Sequence, residues 1–112
     1  MKIKIGDKSY DIITNLGTVE FMRGARRNVV RIDTNLTETQ FKKIGIKDNT
    51  RWSILQEETD AQGNQVEKEY DNSNYNLLGD LIIHSDGKVS FFMCQSTNAE
   101  LLNSVINDLL EV

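Results

Sequence analysis

The run Lys88 to Cys94 reads Lys-Val-Ser-Phe-Phe-Met-Cys, and an Asp86-Gly87 pair separates it from an apolar-rich run, Leu77 to His84. Asp-Gly between two such runs is a strong hairpin signal, because tight hairpin turns need residues that tolerate left-handed backbone. On the returning strand Val89, Phe91 and Met93 fall on one face, and Phe92 and Cys94 on the other. Side chains alternate with a period of two, so both faces of this strand are apolar. Such a strand needs cover on both sides, and the hairpin is expected to be central in its sheet.

Other hairpins are read upstream. Lys2 to Ile5 and Lys8 to Ile13 alternate around Gly6-Asp7, where a glycine in first position suits a type II′ turn. Trp52 to Glu57 and Gln65 to Tyr70 form a longer hairpin across Asp60 to Asn64, followed by a polar loop from Asp71 to Asn74. Arg27 to Asp33 reads as a strand with Val30 and Ile32 facing one way. Residues 14–26 have no clear period: Asn15, Gly17 and Gly24 punctuate them, and only Val19 and Phe21 suggest a short strand.

Two helices start at capping boxes. In Thr37-x-x-Gln40 each side chain satisfies a free amide of a helix start, which predicts a helix over Glu38 to Ile44 that buries Phe41 and Ile44 and stops at Gly45. Thr97 and Glu100 repeat the spacing. Leu101, Leu102, Val105, Ile106, Leu109 and Leu110 then fall on one stripe of a second helix. A stripe that wide needs a surface to cover. The protein's own sheet is the expected one, with a partner subunit as the alternative. The sum is one α+β domain over residues 1–112: a mostly antiparallel sheet of about six or seven strands built from hairpins, one short middle helix and one amphipathic C-terminal helix.

With 112 residues, folding buries roughly 65% of the unfolded chain's surface, enough for one core without staples. The lone Cys94 excludes an internal disulfide. Met1 to Ile13 alternates where a secretion signal would run apolar, and no stretch approaches the ~18 apolar residues of a membrane helix. The chain is therefore expected to act in the cytoplasm, or to be assembled there.

The net charge of −4 is unevenly spread. Residues 1–56 hold 11 Lys/Arg and 6 Asp/Glu, and residues 57–112 hold 2 and 11. Interleaving of the two halves in one sheet is the simple expectation; segregation would make a dipole suited to a charged partner. Arg23, Arg26, Arg27 and Arg31 cluster within nine residues. They suit an acidic protein surface, or else a solvated edge that discourages sheet-to-sheet pairing. Nucleic acid is not the expected partner, since only Phe21 lies nearby for stacking and the pI is near 4.9. On the acidic side Glu57, Glu58 and Glu67 stand out, with Asp60, Glu69 and Asp71 close in sequence.

No motif carries catalysis. His84 is the only histidine and flanks a turn, and Cys94 lies in an apolar strand, where a thiol is inert. Asp60, Gln62, Asn64 and Glu67 lack the order and terminal glutamate of a calcium loop. Trp52 and Tyr75 suit core or interface positions better than a ligand platform. Neither catalytic residues nor a cofactor, metal or small-molecule substrate is expected, and the chain does not read as an enzyme.

The layout is similar to a group of small proteins. It combines the opening hairpin from Lys2 to Ile12, the basic strand and helix from Arg27 to Ile44 and a tryptophan-bearing strand. Glu69-Tyr70-Asp71-Asn72, Gly79-Asp80-Leu81-Ile82, Asp86-Gly87-Lys88-Val89 and Thr97-Asn98-Ala99-Glu100-Leu101 follow. In this it resembles small proteins encoded in the structural-gene region of phages and prophages of low-GC Gram-positive bacteria. The resemblance implies a non-enzymatic tail- or virion-associated protein acting through protein–protein contacts or self-association, and it brings no functional residues. The alternative is a small acidic module that inhibits a host or rival protein by presenting Glu57, Glu58 and Glu67.

Overall fold

The computed structural model describes residues 1–110. Lys2–Ile5 (β1) turns into Lys8–Asp11 (β2) with the loop's positive φ on Gly6, where the absent Cβ removes the steric cost. The stretch that lacked a period forms Thr14–Met22 (β3), paired without a break to Ala25–Thr37 (β4). Its turn is Arg23-Gly24, with φ of 54° and 79°. Arginine is a rare occupant of that left-handed region, so the usual Asn-Gly or Asp-Gly signal is missing. Here Asp48 and the Leu78 carbonyl hold the Arg23 guanidinium at 2.6 and 3.1 Å.

Glu38–Ile44 (α1) has the predicted capping box, with a left-handed Gly45 at its end and Phe41 buried. Trp52–Thr59 (β5), Gln65–Asp71 (β6), Leu77–Ile83 (β7), Lys88–Cys94 (β8) and Asn98–Leu110 (α2) complete the described residues.

The α+β class holds, with eight antiparallel strands divided between two sheets, ordered β2-β1-β5-β6 and β3-β4-β8-β7. The added strand comes from residues 14–26. Ile3, Trp52 and Ile54 from one sheet meet Val30, Ile32, Val89, Phe91 and Met93 from the other, and Phe41 closes the core from α1. The rings of Phe41 and Phe91 lie 4.9 Å apart. The Trp52 indole N–H donates to the Tyr75 carbonyl at 2.9 Å, so its polar edge is satisfied inside.

The Leu77–Cys94 hairpin is central only in part. β8 is buried on both faces, as expected, whereas β7 is an edge strand with a register break between Leu78 and Leu81. On the outer face of this sheet Met22, Val29, Phe92 and Cys94 make a second apolar cluster. The Arg31 guanidinium lies 6.0 Å over the Phe92 ring and shields it. The charge halves interleave: β6 shares a sheet with β1 and β2, and β7 and β8 share the other with β3 and β4.

α2 departs most from expectation. Its stripe does not cover the protein's own sheet: no residue of the helix is buried, and Leu101, Leu102, Val105, Ile106, Leu109 and Leu110 are between 43% and 78% exposed. The core is formed by the two sheets and Phe41 without any residue of α2. The radius of gyration, 16.2 Å, exceeds the ~13 Å of a compact chain of this size, as expected when elements project from the core.

Candidate functional site

The four arginines do not form one surface. β4 lies between β3 and β8, so the basic segment is interior to its sheet and not a free edge. Arg27 is 4% exposed and works as a joint. Its Nε donates to the Met22 carbonyl at 2.8 Å, Nη1 to the Gln95 carbonyl at 3.0 Å, and Nη2 to the Arg23 carbonyl at 3.1 Å. Both terminal nitrogens also reach Glu100, at 2.6 and 3.1 Å. One guanidinium thus binds the end of β3, the exit of β8 and the first turn of α2, using the planar donor fork that lysine lacks.

Glu100 in turn accepts from the Thr97 amide at 2.7 Å, which makes the second capping box. The Arg27 hydrogen bond, followed by the Thr97 amide, pulls the Glu100 carboxyl down to about 2. Arg23 is engaged with Asp48, whose carboxyl it holds below the usual range. Arg31 pairs with Asp33 at 2.9 Å. Arg26, exposed like Arg23, lies on the face of Phe21, directly across from it.

The acidic trio also divides. Glu57 and Glu67 are directly opposite on β5 and β6, on the exposed face of that sheet. Glu58 points the other way, to Lys68 at 3.2 Å and to the Tyr70 hydroxyl at 2.5 Å, and that hydroxyl first and Lys68 second lower its carboxyl pKa. Glu69 shares the face of Glu67 and pairs with Lys4 at 3.0 Å.

Sequence reasoning missed a polar chain on the second sheet. Ser90 Oγ donates to Asp33 Oδ1 at 2.5 Å, and His84 Nε2 lies 2.7 Å from the same Oγ. Thr14 Oγ1 donates to Asp33 Oδ2 at 2.6 Å. Register is what joins them, since Thr14 and Ser90 both pair with Asp33. In the chain 57 residues separate Asp33 from Ser90, and no local pattern signals the contact. Despite its residue types, this polar cluster is not arranged for nucleophilic attack. Ser90 is 1% exposed and gives its proton to the carboxylate, not to the imidazole. The hydroxyls of Ser90 and Thr14, with Arg31 after them, lower the Asp33 pKa to about 2, which makes it a poor base at neutral pH. The arrangement ties β3, β4, β7 and β8 together.

Cys94 is fully buried, its Sγ lies 3.5 Å from Met22 Sδ, and burial pushes its thiol pKa up. Among the described residues, no three His, Cys, Asp or Glu side chains converge in a way that could hold a metal ion. Among those residues, too, no helix is long and apolar enough to cross a membrane.

What remains open is contact surface. The six aliphatic side chains of α2 form a wide stripe beside Asn103, Ser104 and Asn107, and α2 is anchored at its first turn through Arg27 and Glu100. Leu16, Val19 and Phe21 on β3 are exposed as well. A scan of protein-family models and searches of curated proteins and solved structures found no match to the chain.

Proposed function

We propose that the chain is a non-enzymatic structural or assembly protein of the tail- or virion-associated kind its layout resembles, acting through protein–protein contacts. One observation carries the reading: α2 presents its whole apolar stripe, with exposures from 43% to 78%, to the outside. Six large aliphatic side chains open along one stripe are the kind of contiguous apolar patch that marks a contact surface. Burying the stripe against another protein is its simplest use.

Light scattering on a size-exclusion column tests this, run across protein concentration and salt and repeated with candidate tail and head proteins. A discrete oligomer or stable complex that persists in high salt is expected, because the contact is apolar and Arg23 and Arg27 are already paired within the chain. Leu102→Asp with Leu109→Asp should dissociate it. A monomer at every concentration that captures no virion protein would overturn the reading.

A second reading rests on Glu57 and Glu67, two facing carboxylates that offer an acidic patch to a basic groove on a host or rival protein. Reversing both charges should abolish inhibition of such a target and leave the fold intact; inhibition that survives the reversal removes this reading.

A further inference from the structure

We propose that β3 is a strand-addition site for β3 of a second copy, joining two β3-β4-β8-β7 sheets into one antiparallel sheet of eight. This deepens the assembly reading, on which it rests for the expectation that the chain self-associates, and it names a different surface from α2.

Two four-stranded sheets leave four edges, and proteins normally blunt such edges to prevent stray pairing. Three are blunted here. β2 has four residues; β6 carries Glu67, Lys68, Glu69 and Asp71; β7 is broken between Leu78 and Leu81, with Asp80 in the gap. β3 has none of these devices. Its nine residues keep register from Thr14 to Met22, with no lysine or proline and one charge, Glu20. Leu16 on one face and Val19 and Phe21 on the other are exposed, Phe21 at 75%.

The turn decides which backbone groups are free. A two-residue hairpin closes on a hydrogen-bonded pair, here Met22 and Ala25, and bonded and non-bonded pairs then alternate. Glu20, Thr18 and Leu16 therefore bond to β4. Phe21, Val19, Gly17 and Asn15 point their N–H and C=O groups to the open side.

A second copy complements this row. With a two-fold axis at Val19, Val19 faces its own mate, Phe21 faces Gly17, Thr18 faces Glu20 and Leu16 faces Met22. No like charges meet, and the single carboxylate faces a hydroxyl. Nothing lies within 4 Å of where a Cβ on Gly17 would be, so the facing Phe21 ring can fill that space, as aromatics do across from strand glycines. Val19, Arg26 and Asn28 also share a recess with Thr97 and Asn98 at the start of α2. The axis therefore sets both α2 starts on the same side of the joined sheet.

Disulfide trapping of Val19→Cys under mild oxidation tests the register. Facing residues of a bonded antiparallel pair are ~5.5 Å apart at Cα, within disulfide reach, whereas Leu16→Cys would lie roughly 20 Å from its mate. Val19→Cys should give at least ten times more covalent dimer than Leu16→Cys, with the buried Cys94 taking no part. In the unmodified protein, the amides of Gly17, Val19 and Phe21 should exchange with deuterium more slowly as concentration rises; this readout decides the matter if the cysteine variant does not fold. Equal trapping at the two positions, or β3 exchange that ignores concentration, would overturn the proposal. If the α2 substitutions still dissociated an oligomer in that case, the assembly reading would stand without β3; a monomer that captures nothing would end both.

Discussion

Glu57 and Glu67 face each other directly across β5 and β6, on an exposed sheet surface where an oppositely charged pair would be stabilising. Like charges at directly opposed positions cost a few tenths of a kcal/mol to ~1 kcal/mol. Glu67→Lys should therefore raise stability by about 0.5 kcal/mol, measured by urea denaturation at low salt. Added salt should stabilise the parent protein more than the variant, since it screens the repulsion.

Arg27 gives the opposite result. Removing its side chain as Arg27→Met leaves the carbonyls of Met22, Arg23 and Gln95 without this donor and releases Glu100. A loss of about 3 kcal/mol is expected from the unsatisfied buried groups. Arg27→Lys should recover only part of it, because an ammonium cannot serve all these directions at once. Chemical denaturation of the two variants checks the ranking.

Asp33 makes part of the stability pH-dependent. Its carboxyl is held at about 2 against an ordinary 3.8, chiefly by the Ser90 and Thr14 hydroxyls. A depressed folded-state pKa contributes stability that is fully present above the unfolded value and lost as pH falls through the folded one. The contribution is on the order of 2 kcal/mol. The stability difference between the parent and Asp33→Asn should therefore be largest above pH ~5 and shrink between pH ~4 and ~2. Denaturation midpoints across that range measure it.

Gly79 sits in the β7 irregularity, where an added Cβ would fall within 3 Å of both Met22 Sδ and Cys94 Sγ. Met22 can turn aside, but Cys94 is fixed in β8 with both faces of that strand covered. Gly79→Ala should cost about 1–3 kcal/mol, and pairing it with Cys94→Ala should return part of the loss. A double-mutant cycle separates the two contributions.

Much of the fold was legible because local chemistry and tertiary structure agree. The turns at Gly6 and Gly87, the Thr37–Gln40 and Thr97–Glu100 boxes and the two-faced β8 all lie within a few residues of chain. The β3–β4 hairpin was hidden because Arg23 occupies a position that sequence patterns reserve for Asn, Asp or Gly, and contacts with Asp48 and Leu78 hold it there. Arg27 read as one of four surface cations; its burial depends on carbonyls at the ends of β3 and β8, which only the folded topology brings together. The α2 stripe was legible as a stripe, but its lack of cover was not. Periodicity says that a face is apolar and leaves open which surface meets it.

That lack of cover has a thermodynamic consequence. A 13-residue helix without tertiary packing lies near the limit of what is stable in water, because nucleation must be repaid by few hydrogen bonds. Its capping box and the Arg27–Glu100 anchor hold only the first turn. The helical state of the later turns is therefore linked to whatever covers Val105, Ile106, Leu109 and Leu110 on the stripe. Ordering and binding become one equilibrium, so affinity falls below what the buried area alone implies. Assembly should then be sharply concentration-dependent, with helix content, not only mass, reporting it.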